Sequence, residues 1–167
     1  MKQFMIKLAM IAAMIAVPTV AHAEHSVGFA AGSTRGLGAT YRVLPDHGAE
    51  SPWGWQVTGL PLVSRDEGVV SAGAGALYLL HRGEVAMAYA SLGAAALVSW
   101  NNCKENTDEF CKDESHWGLG VGPGIGFELR VVDNLGWSIE IPLALMFADG
   151  DFHGLYPVPN SSLVYHW

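Results

Sequence analysis

The chain has 167 residues, half of which are hydrophobic and only 15% charged, and its formal net charge is −7. This acidic balance excludes nucleic acid as a natural partner, because the phosphates would repel the protein. Because no apolar run past residue 23 reaches the roughly 20 residues of a membrane-spanning helix, the composition indicates either an unusually apolar soluble β domain or a transmembrane β-barrel.

The start of the chain has the three-part order of a secretory signal peptide. A basic start (residues 1–7) is followed by an uninterrupted apolar run (8–17) and by an A-x-A cleavage site (21–23). The run is too short for a spanning helix, which needs roughly 20 residues. We therefore predict that residues 1–23 are a cleaved signal peptide and that residues 24–167 form one domain.

Apolar residues alternate with small or polar residues along the rest of the chain, and helical spacing appears nowhere for long. In "WGLGVGPGIGFELRV" the odd positions are large and mostly apolar, whereas the even positions are glycine and then Glu128 and Arg130. Strands of this length suit a tilted bilayer crossing, which needs about 9–11 residues. The pattern predicts eight strands, near residues 25–32, 36–44, 53–63, 69–80, 84–100, 117–131, 135–147 and 156–167.

A tight turn is predicted in "LHRGE", between the fourth and fifth strands. Gly83 suits the left-handed position of a three-residue loop that pairs Leu80 with Glu84. This register places the even-numbered alanines of the fifth strand on its apolar face. Tyr89 then lies on the opposite face, where we expect its ring to pack against Gly75.

Two cysteines, Cys103 and Cys111, lie in the polar stretch "NNCKENTDEFCKDES". In an exported protein, two cysteines in one loop predict a local disulfide. A metal or redox site is the weaker interpretation, because C-x-x-C spacing is absent and the histidines are scattered. We predict no metal and no cofactor.

The "DNLG" turn between the sixth and seventh strands predicts a three-residue loop over 134–136. Pairing position 133 with position 137 keeps odd residues opposite odd residues, so the apolar faces of both strands agree. In this register Arg130 lies directly opposite Glu140.

The charged residues on the small-residue face are predicted to form one ion-pair network in the barrel interior. A buried pair persists only when it is well satisfied, so we interpret the network as structural support. A gate or a proton-sensitive lumen is the alternative interpretation. The predicted members are Arg42, Glu128, Arg130, Glu140 and His166.

The apolar face is predicted to point outward into lipid. If it pointed inward, the outer face would consist of glycine, serine and alanine, with too few charges to keep a sheet soluble. With the apolar face outward, the small residues fill the narrow interior that eight strands enclose. Closure also removes the unpaired edges that lipid does not tolerate. The predicted fold class is all-β, a closed antiparallel up-and-down eight-stranded transmembrane β-barrel.

Aromatic residues near the strand ends are predicted to form the two belts that mark the membrane interfaces. Trp100 and Trp117 flank the cysteine loop at one end of the barrel, and Trp53 and Trp137 lie at the other end. The two belts agree with strands that cross a bilayer.

Loop lengths predict the orientation, because outer-membrane barrels keep short turns in the periplasm and longer loops outside. We expect both chain ends in the periplasm and the long connections at 101–116 and 148–155 outside. Pro61, Pro123 and Pro142 lie inside predicted strands, where each removes a ladder hydrogen bond. We therefore expect bulges or local breaks at these prolines.

The chain ends on "SSLVYHW", in which Leu163, Tyr165 and Trp167 occupy alternate positions. This end resembles the terminal strand that outer-membrane barrel proteins present to the barrel-assembly machinery. With eight predicted strands, the mature chain resembles the small OmpA/OmpX-type barrels over essentially its full length. The resemblance implies escort by periplasmic chaperones, insertion by that machinery and residence among outer-membrane lipids and lipopolysaccharide.

The predicted function is structural, or a surface interaction through the outer loops, by a monomer without catalytic residues. An enzyme that modifies lipopolysaccharide acyl chains is one alternative. Glu114, Ser115 and His116 lie near the expected level of the outer leaflet, where an acylhydrolase or acyltransferase would act. Neighbours in sequence point to opposite faces of a strand, however, which places Ser115 and His116 poorly for sharing a proton. A narrow passive pore is the other alternative.

Overall fold

A computed structural model describes residues 23–46, 51–64, 67–101 and 114–167. No helix in these ranges is long and apolar enough to span a membrane. The predicted signal peptide lies outside the described residues except for Ala23, where the first strand begins. The described residues form nine β-strands: β1 (Ala23–Gly32), β2 (Gly36–Pro45), β3 (Trp53–Val63), β4 (Glu67–Arg82), β5 (Ala86–Asn101), β6 (Glu114–Val132), β7 (Leu135–Ala148), β8 (Asp151–Pro157) and β9 (Asn160–His166).

The strands form one closed antiparallel barrel. Each strand from β1 to β6 pairs with the next one along the chain. The barrel closes where β9 pairs with β1, from Ser26 opposite His166 to Ala31 opposite Ser161. Both β8 and β9 pair with β7, so they are two parts of one wall strand. The predicted eight-stranded up-and-down barrel is confirmed.

The large apolar side chains point away from the barrel axis and the charged ones point toward it. Ile125 and Ile141 are 57% and 62% exposed, whereas Arg42 and Glu128 are 0% and 1% exposed. This distribution is the reverse of that in a soluble β protein, where charged residues are almost never fully buried unless they are paired. An apolar outer surface around a polar interior is the arrangement of a membrane barrel.

The β6–β7 turn is shorter than predicted. Val132 pairs with Leu135, so residues 133–134 form a two-residue turn, and a bulge between Arg130 and Val132 restores the even register. A bulge adds one residue to one strand of a pair, and the turn sequence alone does not reveal it. Because the bulge compensates for the shorter turn, each residue still points to the predicted side of the sheet.

The pairing predicted between Arg130 and Glu140 was therefore wrong. Arg130 lies opposite Gly136, and Glu140 lies opposite Gly126. Because the observed turn is shorter than the predicted one, the two charged residues lie at different levels along the strands.

The β4–β5 hairpin also keeps the predicted faces but not the predicted register. Leu79 pairs with Tyr89, and a bulge after Leu79 shifts the strands, so the pairing expected at the "LHRGE" turn does not form. Tyr89 faces inward and is fully buried. Its ring packs against Gly126 of β6 rather than against Gly75.

The connection after β7 is a tight turn rather than a long loop. Asp149 and Gly150 have φ angles of 50° and 96°, which Asp-Gly readily adopts in a two-residue hairpin turn. The last wall strand therefore begins at Asp151, earlier than predicted, and is interrupted at Val158-Pro159. The loop predicted over 148–155 was wrong, because Asp149 and Gly150 alone connect β7 to β8.

The three prolines lie where the ladder is already incomplete. Pro123 and Pro142 adjoin a gap in the β6–β7 ladder, between the pair at Val121 and the pair at Gly124, so the predicted local breaks are confirmed there. Pro61 lies beyond the last residue of β3 that pairs with β2 and keeps a regular pair with β4. An edge of this kind tolerates the missing donor of proline.

Candidate functional site

The turn between β1 and β2 folds into the barrel. Thr34 and Arg35 in this turn are only 1% and 2% exposed. Connecting turns normally run over the protein surface, because their backbone polar groups need water. We refer to residues 33–35 as the inner turn, and its burial makes it a plug for the half of the lumen that lies away from the chain termini.

Three glycines on neighbouring strands make room for the inner turn. A Cβ at Gly93 would lie 2.6 Å from a carbonyl oxygen of the inner turn, and a Cβ at Gly73 or Gly120 would lie closer still to another. Real Cβ atoms essentially never approach within 3.0 Å of another atom. The glycine-rich lumen face of β4, β5 and β6 is therefore a cradle for main chain.

Buried polar side chains hold the inner turn in this cradle. Arg35 Nη2 donates to Glu140 Oε2 at 2.5 Å and to the Tyr89 hydroxyl at 2.6 Å. Asn160 Nδ2 donates to Glu140 Oε1 at 2.7 Å and to Thr34 Oγ1 at 2.8 Å. Because these partners come from β5, β7 and β9, the inner turn is tied to three parts of the wall.

A second buried cluster lies closer to the end that carries the chain termini. Arg42 forms a fully buried ion pair with Glu128 and donates through Nη2 to Ser162 Oγ at 3.0 Å. The hydroxyl oxygens of Ser138 and Ser162 lie 2.5 Å apart. The guanidinium is therefore paired with a carboxylate and also held by a hydroxyl.

A third cluster closes the end of the lumen near the termini. Glu24 pairs with Arg82, and its Oε1 accepts from Arg130 Nη2 at 2.5 Å. His166 lies between two carboxylates, with Nδ1 2.8 Å from Glu24 Oε1 and Nε2 2.7 Å from Glu128 Oε1. His166 thus connects this cluster to the second one.

The predicted ion-pair network is divided among these clusters. The structure brings together Arg42, Glu128 and His166, whereas it pairs Arg130 with Glu24. Glu140 pairs with the inner turn instead. The separation of Arg130 from Glu140 follows from the observed β6–β7 register.

Sequence reasoning missed Glu24, Arg35, Arg82 and Asn160 as lumen residues. Arg35 looked like part of an exposed polar turn. A local signal was available in the "RGLG" run, because Gly36 and Gly38 have φ angles of 79° and 129°, which other residues rarely adopt. Such glycines permit the chain to turn inward directly after β1.

The other predicted residues lie on the outer surface or outside the described ranges. Trp53, Trp137 and Trp117 are exposed, and the Trp100 ring lies over Gly68 on the outward side of β4. Leu163, Tyr165 and Trp167 are exposed at the end of the chain. Cys103 and Cys111 lie outside the described residues, so their disulfide stays a prediction.

The buried part of the lumen is suited to holding the barrel together. Its buried guanidinium groups face carboxylates and hydroxyls that are themselves hydrogen-bonded. Within the described ranges, no three histidine, cysteine, aspartate or glutamate side chains converge as a metal site.

Comparisons with known proteins identify similar structures but no similar sequence. No family model and no curated protein matches the chain. The N-terminal β-barrel domain of Pseudomonas aeruginosa OprF superposes with a TM-score of 0.52 at 11% identity, over 87% of this chain and 96% of that domain.

Two further solved structures match less closely. Ail, the attachment invasion locus protein of Yersinia pestis, has a TM-score of 0.46 at 14% identity, over 87% of this chain and 99% of Ail. Neisserial surface protein A has a TM-score of 0.36 at 14% identity, over 86% of this chain and 91% of that protein. The chain has the fold of the small eight-stranded outer-membrane β-barrels, and the likeness to the OprF barrel shows that fold.

Proposed function

We propose that the protein is an integral outer-membrane protein whose sealed barrel anchors an outer end with a structural or surface-interaction role. The observation that carries this proposal is the inner turn, held by buried ion pairs inside a barrel whose apolar side chains point outward. An apolar outer surface favours residence in lipid, and a filled interior favours a role other than transport.

The outward surface supports residence in a membrane. Exposed large apolar side chains line β6 and β7 from Ile125 to Leu145 on alternate positions. A soluble monomer rarely exposes a contiguous apolar patch of more than a few hundred Å². The barrel is closed by the pairing of β9 with β1. This closure gives hydrogen-bond partners to backbone groups that lipid could not satisfy.

The filled lumen supports an anchor rather than a passive pore. The inner turn and the Arg35–Glu140 pair block the outer half of the lumen. Toward the other end, Tyr89 and the Arg42–Glu128 pair are fully buried. Eight-stranded barrels enclose an interior just wide enough for side chains, and this interior also accommodates three residues of backbone.

Strand lengths support an outer end that extends beyond the bilayer. β4 and β5 have 16 residues each and β6 has 19, whereas β1 and β2 have 10 each. A tilted crossing needs about 9–11 residues, so the longer strands continue past the membrane. The surface role belongs to this extension and to the connections that it carries.

The last strand supports a route of biogenesis. β9 and the residue that follows it present outward side chains at positions 163, 165 and 167, and β9 pairs with β1 only when the barrel closes. Before closure this strand is available to the barrel-assembly machinery. Export under the N-terminal signal peptide and escort by periplasmic chaperones precede that step, and the mature protein resides as a monomer among outer-membrane lipids and lipopolysaccharide.

Insertion of a short peptide tag at two matched hairpin turns tests location and orientation together. A tag at Asp149-Gly150 is expected to bind antibody on intact cells, and a tag at Asp133-Asn134 only after the outer membrane is permeabilised. Both are two-residue turns, which tolerate insertions well. Recovery of the tagged proteins in the soluble fraction, or labelling of only the second tag on intact cells, would contradict the proposal.

A further inference from the structure

A histidine and an aspartate form a fixed pair at the outer end of the barrel. His116 Nδ1, on β6, lies 2.9 Å from Asp149 Oδ2 in the β7–β8 turn. The other carboxylate oxygen accepts the backbone N–H of Trp117 at 2.9 Å, and Asp149 N donates to the Trp117 carbonyl at 3.0 Å. The carboxylate is thus held from two directions and orients the imidazole.

The charge of Asp149 is favoured by the same contacts. The hydrogen bond with His116, followed by the backbone N–H of Trp117, holds the pKa of the Asp149 carboxyl below its usual range. Asp149 is therefore ionised at neutral pH, as an acid that orients a histidine base must be.

Ser99 lies directly opposite His116 in the β5–β6 ladder. Residues directly opposite each other in an antiparallel pair point to the same face, with Cβ atoms about 4.5–5.5 Å apart. Because Nδ1 lies against Asp149, Nε2 is the imidazole nitrogen that would accept the proton of the Ser99 hydroxyl. Ser115, the sequence neighbour of His116, points to the other face of β6 and does not share this arrangement.

Ser99 and His116 line a common cavity of about 560 Å³ at the outer end. Two apolar residues that line it, Leu62 and Val69, lie in one row with Ser99 across the β3–β4 and β4–β5 ladders, so they form an apolar wall on the same face as the serine. Asn101 also lines it and, two residues after Ser99, lies on the same face of β5. The cavity therefore combines an apolar wall, a hydroxyl with a nearby base, and an amide donor.

We propose that Ser99, His116 and Asp149 form a nucleophile, base and orienting acid that hydrolyse carboxylic esters of long-chain acyl groups. The apolar wall accommodates the acyl chain of an ester that enters the mouth of the barrel at its outer end. This activity adds to the proposed anchor and surface role, which stands without it.

The reaction is an acyl transfer to water in two steps. Ser99 Oγ attacks the ester carbonyl carbon while His116 Nε2 takes the hydroxyl proton, and the alcohol leaves with that proton. Water then attacks the acyl-serine, with His116 again accepting a proton, and the carboxylic acid and the free serine are released. The Asn101 amide is placed to donate to the oxyanion in both steps.

The test uses the full chain, refolded in detergent micelles and checked by heat-modified gel mobility. The probes are a fluorophosphonate that labels activated serines and the p-nitrophenyl esters of palmitate and acetate. We expect labelling at Ser99 and faster hydrolysis of the palmitate ester. Ser99→Ala is expected to abolish both signals, whereas the matched control Ser115→Ala retains them.

Asp149→Asn separates a positioning role from a merely structural one. Asparagine tolerates the positive φ at this turn, so the hairpin is retained. We expect kcat to fall roughly 10²–10⁴-fold with KM little changed.

Three results would overturn the proposal: no labelling and no hydrolysis by folded wild-type protein, hydrolysis that Ser99→Ala retains, or labelling confined to another serine. Because folding is scored independently by gel mobility and location by the tagged turns, failure of this activity is distinguishable from failure of the proposed anchor.

Discussion

Arg35 and Glu140 form an ion pair of 2.5 Å between the inner turn and the middle of β7, and both side chains are 2% exposed. The two residues are 105 positions apart in the chain. Their pairing brings the first turn of the barrel against its seventh strand, so the lumen is closed only when the whole wall is in place.

Removal of one partner of this pair is expected to destabilise the barrel strongly. Glu140→Ala leaves the Arg35 guanidinium buried without its carboxylate, and the loss of one partner from a buried pair costs about 3–5 kcal/mol. The measurement is the urea midpoint of the folded, heat-modifiable form in detergent micelles. Glu84→Ala is the control, because Glu84 is exposed in the β4–β5 turn. Equal midpoints for the two variants would show that the pair does not hold the barrel.

The glycine cradle predicts a position-specific effect of a single methyl group. Gly120→Ala places a Cβ against the carbonyl oxygen of Ser33, whereas the nearest atom to a Cβ at Gly118 is 3.8 Å away. We expect Gly120→Ala to cost about 1–3 kcal/mol through overpacking and Gly118→Ala to be close to neutral. Both glycines lie on the lumen face of β6, so their strand propensities are matched. Comparison of the urea midpoints of the two variants is the measurement, and an equal loss in both would argue against an inner turn seated on β6.

Charged substitutions on the outer surface are expected to report the depth of each position in the bilayer. Ile125 is exposed in the middle of β6, where an arginine costs about 2–4 kcal/mol in lipid. Val85→Arg is the control, because Val85 is exposed in the β4–β5 turn, where the cost is about 0–1 kcal/mol. The free energies are measured by reversible unfolding from lipid vesicles. If Ile125→Arg proved as mild as Val85→Arg, the outward face of β6 would lie in water.

The outer hairpin is expected to respond to acid through Asp149. Its folded pKa is held below the usual value by His116 and by the Trp117 amide. A depressed carboxyl pKa contributes stability above the unfolded pKa, about 3.9, and that contribution is lost as the pH falls through the lower folded pKa.

The Trp117 backbone amide resonance reports this titration. It should move with a midpoint below about 3.9 and lose that movement in Asp149→Asn. A midpoint at or above the ordinary aspartate value would mean that the carboxylate does not keep its contacts with His116 and the Trp117 amide when the protein is in solution.

The fold was predictable because side-chain parity survives errors of register. Each strand places alternate residues on opposite faces, so the outward position of Ile125 follows from the pattern whatever residue it faces across the ladder. The two turns were misjudged, yet the bulges after Leu79 and Arg130 restored an even register in both hairpins. To predict which residues pair across a ladder, the position of each bulge must be known. That position depends on how the side chains of the finished wall pack.

The centre of the site was less predictable, because it depends on backbone in an unusual place. Arg35 follows a short polar turn, and such turns usually lie at the surface. Its burial requires glycines on three other strands, at positions 73, 93 and 120. Alternation identified these glycines as lumen-facing, but the residues that they accommodate become visible only when all the strands are assembled.

The most direct test of the central claim, an apolar face in lipid around a filled polar lumen, is nuclear Overhauser contact between methyl groups and lipid chains in nanodiscs. We predict cross-peaks to acyl-chain protons from Ile125, Ile139 and Ile141, which are exposed, and none from Leu77 and Val164, which are buried. Lipid contacts from Leu77 and Val164, with none from the three isoleucines, would contradict it.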